Sequence, residues 1–217
     1  MRLFSSANLV YSLAHEDSVY FLGRPHRFGK SLLISTLKSY YLGKKELFKG
    51  LAIEELEKDW KTYPVFHLDF GIGTYTNANA LDQVLDTYLS EWEEEYKVVR
   101  KPNITDFSLR FKKIIEEAHR QSGLRAVVLI DEYDKPLLDV MDLKNTINHE
   151  GCEITYEEYN RNLLRAFSLL LRLRTSICSL CCLRVSPSSP KSVCLVTLIN
   201  QATSVCLLSM RLYVVLR

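Results

Sequence analysis

The chain has 217 residues, of which 28 are Lys or Arg and 26 are Asp or Glu, so its formal net charge is +2. This length supports one α/β domain with a buried core, or one domain with a remnant of a second. Such a balanced charge gives no argument for nucleic acid, acidic substrates or a membrane surface as partners. Because the sequence shows neither a secretory leader nor a run of about 18 apolar residues, we expect a cytoplasmic protein with reduced thiols.

Short apolar strands alternate with amphipathic helices along most of the chain. The first strand is predicted at 18–23 and is followed by a helix over 30–42. A second strand is predicted at 63–70, and after several turn residues a long helix covers 80–98. The acidic run at 93–95 on this helix is interpreted as a solvated face.

The alternation of strands and helices continues to residue 170. A helix over 105–121 carries an apolar stripe, and the run 126–130 predicts a central parallel strand covered on both faces. Helices over 135–144 and 156–170 follow, separated by a polar loop. The pattern therefore predicts an α/β fold with a doubly wound parallel sheet flanked by helices. The apolar stripe consists of Phe107, Phe111, Ile114, Ile115 and Ala118.

A candidate phosphate-binding loop lies between the first predicted strand and the first predicted helix. The segment 24–31 reads RPHRFGKS, and loop amides followed by a helix N-terminus bind phosphate anions. Lys30 would neutralise the β and γ phosphates of a nucleotide, and the Ser31 hydroxyl would be a ligand of Mg²⁺. The predicted nucleotide-binding residues are Arg27, Phe28, Gly29, Lys30, Ser31 and Leu32.

This loop departs from the P-loop pattern G-x-x-x-x-G-K-[ST], because position 24 is arginine and Gly23 lies one residue too early. Either Arg24 adopts the required backbone angles or the turn shifts to Gly23. Arg24 and His26 are further candidates for phosphate contacts, although Arg27 is preferred. The alternative interpretation is an ordinary helix N-terminus with a basic first turn.

The second candidate element is the acidic end of the apolar run 126–130. Asp131 would hold the metal through water, and Glu132 is placed to orient or deprotonate an attacking water. Glu132 and Lys30 are therefore the predicted catalytic residues, and Ser31 and Asp131 the predicted metal ligands. The alternative is an apolar strand that ends in two surface acids. Asp134 and Asp139 are expected to be helix caps or solvated groups. His67 is expected to be a hydrogen-bonded side chain of its strand.

The segment 20–37, YFLGRPHRFGKSLLISTL, resembles the AAA-ATPase-like family of bacterial P-loop proteins, whose loop typically reads RPRRFGKSLL. Arginine at position 24 is usual in that family, whereas His26 replaces an arginine. The resemblance implies a P-loop NTPase-like fold, with Walker A at Lys30 and Walker B at Asp131. It also implies ATP as ligand or substrate and Mg²⁺ as cofactor. Further matching segments, within a resemblance that covers about residues 9–167, are 43–51, 63–70 and 129–137.

Relatives in this family usually begin further upstream and end in a PD-(D/E)XK nuclease-like domain. Neither segment is recognised here, so we expect an N-terminal fragment whose link to nucleic acid would run through the missing domain. No membrane partner is expected, and the oligomeric state is not indicated.

The composition changes where the resemblance stops, near Ser168. No Asp or Glu follows Glu158, no glycine follows Gly151, and five of the six cysteines follow Arg172. Back-translation of residues 183–196 in a shifted frame permits a sequence like the next strand of the family. We therefore expect a frameshift near 168–172, an out-of-frame tail over 168–217, and an incomplete sheet. The alternative is a genuine apolar tail that packs or binds a partner.

Four functions remain open on these observations. The first is a Mg²⁺-dependent ATP-binding module, with or without hydrolysis. A phosphotransferase would share the loop but would also need an acceptor pocket, which no motif indicates. The others are a nucleotide-gated interaction module of a nucleic-acid-processing or defence system, and a non-functional truncated product.

Overall fold

The computed structural model describes residues 10–15, 19–23, 30–100, 104–172 and 178–185. These residues form a four-stranded parallel sheet flanked by helices, together with a separate two-stranded antiparallel hairpin. Within this part of the chain, every helix is too short or too polar to cross a membrane.

Strands and helices are numbered in chain order within the described residues. The strands are β1 (Val19–Gly23), β2 (Val65–Asp69), β3 (Ala126–Asp131), β4 (Thr146–His149), β5 (Cys152–Thr155) and β6 (Cys178–Val185). The helices are α1 (residues 10–15), α2 (Lys30–Tyr41), α3 (Ala52–Leu56), α4 (Ala80–Glu95), α5 (Phe107–Ser122), α6 (Lys135–Leu138) and α7 (Tyr156–Arg172). Short 3-10 turns occupy Lys45–Phe48 and Phe70–Ile72.

The main sheet has the strand order β1-β6-β3-β2, and each neighbouring pair is parallel. Every residue of β3 is buried, as a parallel strand with helices on both faces requires. The predicted parallel sheet flanked by helices is therefore confirmed. The predicted strands at 18–23, 63–70 and 126–130 correspond to β1, β2 and β3.

Alternate residues of β3 contribute to two separate cores. Val127 and Leu129 pack with buried residues of α1 and α2 on one face of the sheet. Val128 and Ile130 pack with buried residues of α4, α5 and α7 on the other face. This division follows from the two-residue period of a strand. Helices α1, α2 and α3 contribute to the core on the first face.

The amphipathic helix predicted at 105–121 is confirmed as α5. The Asp106 carboxylate accepts a hydrogen bond from the Leu109 N–H at 3.0 Å, and Gly123 ends the helix in the left-handed conformation. Four residues of the predicted stripe are buried, and Phe107 is partly buried against the same core.

Glu93 was expected on a solvated face, and this expectation is wrong. Its side chain is only 9% exposed, and its two oxygens accept hydrogen bonds from Arg110 Nε and Nη2, both at 2.8 Å. Arg110 also donates to Asp86 and Ser90 of α4. Because Arg110 lies on α5 and Glu93 on α4, the sequence of α4 alone could not reveal this ion pair.

Two expectations for the segment after β3 are also wrong. The predicted helix over 135–144 ends at Leu138, and Asp139 instead pairs with Lys135 at 2.8 Å. The predicted polar loop contains the hairpin β4–β5. Its two-residue turn, Glu150 and Gly151, has φ angles of 53° and 83°, as a primed hairpin turn requires.

Strand β6 occupies the central position that was expected to be empty. It pairs with β1 on one side and with β3 on the other, and its sequence is CSLCCLRV. An apolar run of this length suits a strand that pairs with a neighbour on each side, although its composition had suggested no native structure. The described sheet therefore has no gap between β1 and β3.

Replacing Arg110 with alanine should lower the free energy of unfolding by about 3 to 5 kcal/mol, because the buried Glu93 charge loses its partner. Chemical denaturation of the two proteins measures this difference. The matched control is Lys112→Ala, since Lys112 forms an exposed pair with Glu116 on the same helix. That change should cost less than about 1 kcal/mol. Equal effects of the two substitutions would contradict this account of the buried pair.

Candidate functional site

The carboxyl ends of the four parallel strands lie along one edge of the sheet, here called the carboxyl edge. Asp69 at the end of β2 lies in register with Asp131 at the end of β3. Gly23 ends β1 at the same edge, two strands away from Asp131. The chain therefore leaves β1 towards α2 at the same edge as the two carboxylates, with β6 between β1 and β3.

Helix α2 runs antiparallel to the strands that it covers. The Tyr63 N–H, just before β2, donates a hydrogen bond to the Tyr41 carbonyl at the end of α2, at 2.8 Å. Helix α2 is about 17 Å long, and the chain from Tyr63 to Asp69 spans about 20 Å. The first turn of α2 therefore lies near the level of the carboxyl edge, where its positive end faces outwards.

The predicted loop residues divide between described and undescribed parts of the chain. Lys30 begins α2, Ser31 lies exposed on its first turn, and the Leu32 side chain is 57% exposed. The remaining loop candidates lie outside the described residues, so their contacts stay predictions. They are Arg24, His26, Arg27, Phe28 and Gly29.

Asp131 and Glu132 lie at the end of the buried strand, as predicted. Asp131 is 7% exposed, and its Oδ1 accepts a hydrogen bond from the Glu132 N–H at 2.9 Å. Glu132 is half-buried and has a φ of 50°, in the left-handed region that favours glycine. This backbone conformation costs about 1 kcal/mol or more for a residue with a side chain. It persists only where surrounding contacts hold it.

Helix α7 holds the segment that follows Glu132. The Tyr133 hydroxyl donates to the Leu164 carbonyl at 3.0 Å, and Asn160 Nδ2 donates to the Pro136 carbonyl at 2.9 Å. Tyr133, Pro136 and Asn160 are buried. These contacts fix the backbone immediately after the two acidic residues.

Asp69 was not predicted as a site residue, although the structure brings it beside Asp131. Its Oδ1 accepts a hydrogen bond from the Gly71 N–H at 2.8 Å, which starts the 3-10 turn. Its backbone N–H donates to the Tyr88 hydroxyl at 3.2 Å. The signal was present, because the strand predicted at 63–70 also carries an acid at its carboxyl end.

The residues expected to have structural roles differ in their surroundings. Asp134 is only 2% exposed, so a solvated position is wrong for this side chain. Asp139 accepts a hydrogen bond from the Tyr75 N–H at 3.2 Å and pairs with Lys135. His67 Nδ1 lies 3.4 Å from Lys38 Nζ, whereas its buried Nε2 has no hydrogen-bond partner among the described residues. The expectation of a fully hydrogen-bonded histidine is therefore wrong at Nε2.

Burial lowers the pKa of the His67 imidazole below its ordinary value of 6.5, and the nearby Lys38 lowers it further. The Asp69 and Asp131 carboxylates act in the opposite direction but do not compensate. His67 is consequently neutral in the folded protein at neutral pH, while the unfolded chain takes up a proton more readily as the pH falls.

The free energy of unfolding should therefore decrease as the pH falls from about 7.5 to about 5.5, because the unfolded state then binds more protons at His67. Replacing His67 with glutamine should make this decrease shallower, since glutamine does not titrate. Denaturant titrations of both proteins at several pH values measure the slopes. Identical slopes would show that His67 does not have the lowered pKa.

Comparison with known proteins adds a family and a relative. The family described as Predicted AAA-ATPase matches residues 5–187. The "Uncharacterized protein in vnfD 5'region" of Azotobacter chroococcum mcd 1 is 38% identical over 128 residues, which cover 58% of this chain. The same alignment covers 24% of the relative, so the chain spans about a quarter of that protein's length. Since the family match includes most of the described sheet and its helices, the chain belongs to the AAA-ATPase-like family.

Proposed function

We propose that the chain is a Mg²⁺-dependent ATP-binding module with a P-loop NTPase fold. The observation that carries the proposal is the buried strand β3, which ends in Asp131 at the carboxyl edge and has α2 packed on one of its faces. Ligands of open α/β sheets bind outside the carboxyl ends of the strands. Membership of the AAA-ATPase-like family supports nucleotide binding at this edge.

In this proposal the phosphates of ATP bind at the start of α2. The loop amides and the positive end of the helix attract the anion, and Lys30 neutralises the β and γ phosphates. Arg27 adds a second positive charge, while Phe28, Gly29 and Leu32 complete the loop. Arg24 in place of the usual glycine makes this a variant loop, in which either Arg24 adopts the required backbone angles or the turn shifts to Gly23.

The oxygen donors at the carboxyl edge fit Mg²⁺. This ion prefers oxygen ligands and is held in nucleotide sites by one or two carboxylates together with phosphates. Ser31 supplies a hydroxyl on an exposed first turn, and Asp131 supplies a carboxylate at the end of β3. A cage of three or more His, Cys, Asp or Glu side chains is not found among the described residues, and Mg²⁺ does not require one. The bound ion would neutralise charge on the β and γ phosphates.

Hydrolysis is the further step that this arrangement supports. Glu132 would accept a proton from a water molecule as the water oxygen forms a bond to the γ-phosphorus. The bond from the γ-phosphorus to the β–γ bridging oxygen breaks, and ADP leaves with the electron pair of that bond. Glu132 suits this role because Asp131 and the α7 contacts fix the surrounding backbone.

ATP with Mg²⁺ should raise the melting temperature of the parent protein by about 5 to 10 °C at about 100 times Kd, because the ligand binds only the folded state. The Lys30→Ala variant should show no such shift at the same concentrations. Scanning calorimetry with and without nucleotide measures both proteins. A shift of equal size in the variant would contradict phosphate binding by this loop.

The Glu132→Gln variant should keep the ATP-dependent shift but lose turnover, with kcat lower by about 100-fold or more. Release of inorganic phosphate measures turnover directly. Hydrolysis in the absence of any acceptor would favour an ATPase over a phosphotransferase. Undiminished phosphate release by Glu132→Gln would contradict the role assigned to this carboxylate.

The origin of the residues after 167 is a separate proposal. We propose a frameshift near 168–172, which the absence of acidic residues after Glu158 supports. The family match to residue 187 and the pairing of β6 on both edges favour the alternative, a genuine apolar tail that packs on the domain. Resequencing the locus across 165–217 decides between them, since one intact reading frame would contradict the frameshift. We also propose that a link to nucleic acid would run through a further domain.

A further inference from the structure

The turn that follows β2 touches the side chain of Glu132. A Cβ atom placed on Gly71 would lie 3.3 Å from Glu132 Cγ and 2.9 Å from Asp69 Oδ1. The Gly71 N–H donates to the same Asp69 oxygen at 2.8 Å, and Asp69 caps the 3-10 turn Phe70–Ile72. Gly71 therefore bonds to the Asp69 carboxylate and lies close to the Glu132 side chain.

Space, and not backbone conformation, is the reason for a glycine at position 71. Gly71 is not among the glycines with positive φ, so an alanine there would have no backbone strain. Its Cβ would instead require Asp69 or Glu132 to shift, because it would lie 2.9 Å from Asp69 Oδ1 and 3.3 Å from Glu132 Cγ, closer than ordinary van der Waals contact. The close approach of the turn to Glu132 thus depends on the missing side chain.

Glu132 is held from two directions at this point. Asp131 Oδ1 accepts the Glu132 N–H at 2.9 Å, and the Glu132 Cγ atom lies 3.3 Å from the place that a Cβ on Gly71 would occupy. The left-handed backbone conformation of Glu132 persists only where surrounding contacts maintain it. The turn after β2 lies close enough to limit the positions open to its side chain.

We propose that Asp69 and Gly71 are positioning residues for Glu132: Asp69 fixes the turn through the Gly71 N–H, and the turn holds the Glu132 side chain at the carboxyl edge. This inference rests on the proposed function, in which Glu132 prepares the attacking water. A displacement of about 1 Å in such a group lowers the rate by about 100-fold. Nucleotide binding, which depends on the loop before α2, is unaffected.

The test compares Asp69→Ala, Asp69→Asn and Gly71→Ala in the full chain. Asp69→Ala and Gly71→Ala should lower kcat by about 10- to 100-fold without changing Kd for Mg²⁺-ATP by more than about twofold. Asp69→Asn should restore most of the turnover lost in Asp69→Ala, because the amide oxygen still accepts the Gly71 N–H. Phosphate release and calorimetric titration give the two constants.

The Ile115→Val variant changes the core formed with α4, α5 and α7, and it controls for a general loss of stability. It should lower the melting temperature while kcat below that temperature is kept. If Asp69→Asn is as inactive as Asp69→Ala, the charge acts directly and the positioning role is overturned. The role is also overturned if kcat survives in Gly71→Ala, or if the parent binds ATP but releases no phosphate. A parent that binds no ATP instead refutes the proposed function itself.

Discussion

The parallel pairing of β2 with β3 is the constraint on which the candidate site depends. Strand β3 is buried over its whole length, and its one carboxylate, Asp131, lies at its carboxyl end. The register then places Asp69 directly beside Asp131. Helix α2 packs on the face of the sheet that contains Val127 and Leu129. Any shift of that register would separate the groups.

Contacts from three directions hold the carboxyl edge. The turn after β2 approaches Glu132 at Gly71, and Asp131 accepts a hydrogen bond from the Glu132 N–H. The hydroxyl of the next residue, Tyr133, donates a hydrogen bond to α7. The left-handed backbone of Glu132 is an unfavourable conformation that these contacts maintain. A site built in this way should respond to changes in α7 packing and in the β2 turn, even though neither element contains the phosphate loop.

The parts of the fold that local patterns determine were predictable from the sequence. Burial on both faces produces the apolar run of β3, and the acids that end it indicated Asp131 and Glu132. Partners distant in the chain were not predictable. The position of Asp69 beside Asp131 depends on the register of two strands. The burial of Glu93 depends on its hydrogen bonds with Arg110, which lies on another helix. The composition of the tail suggested that no strand would form there, whereas pairing with β1 and β3 accommodates β6.

The central claim is that the start of α2 and the carboxyl edge form one nucleotide site. The most direct test is a crystal structure of the chain with a non-hydrolysable ATP analogue and Mn²⁺ in place of Mg²⁺, with the metal located by anomalous scattering. The account predicts phosphates against Lys30 and a metal between Ser31 and Asp131. A nucleotide bound elsewhere, or a metal bound away from Asp131, would contradict it.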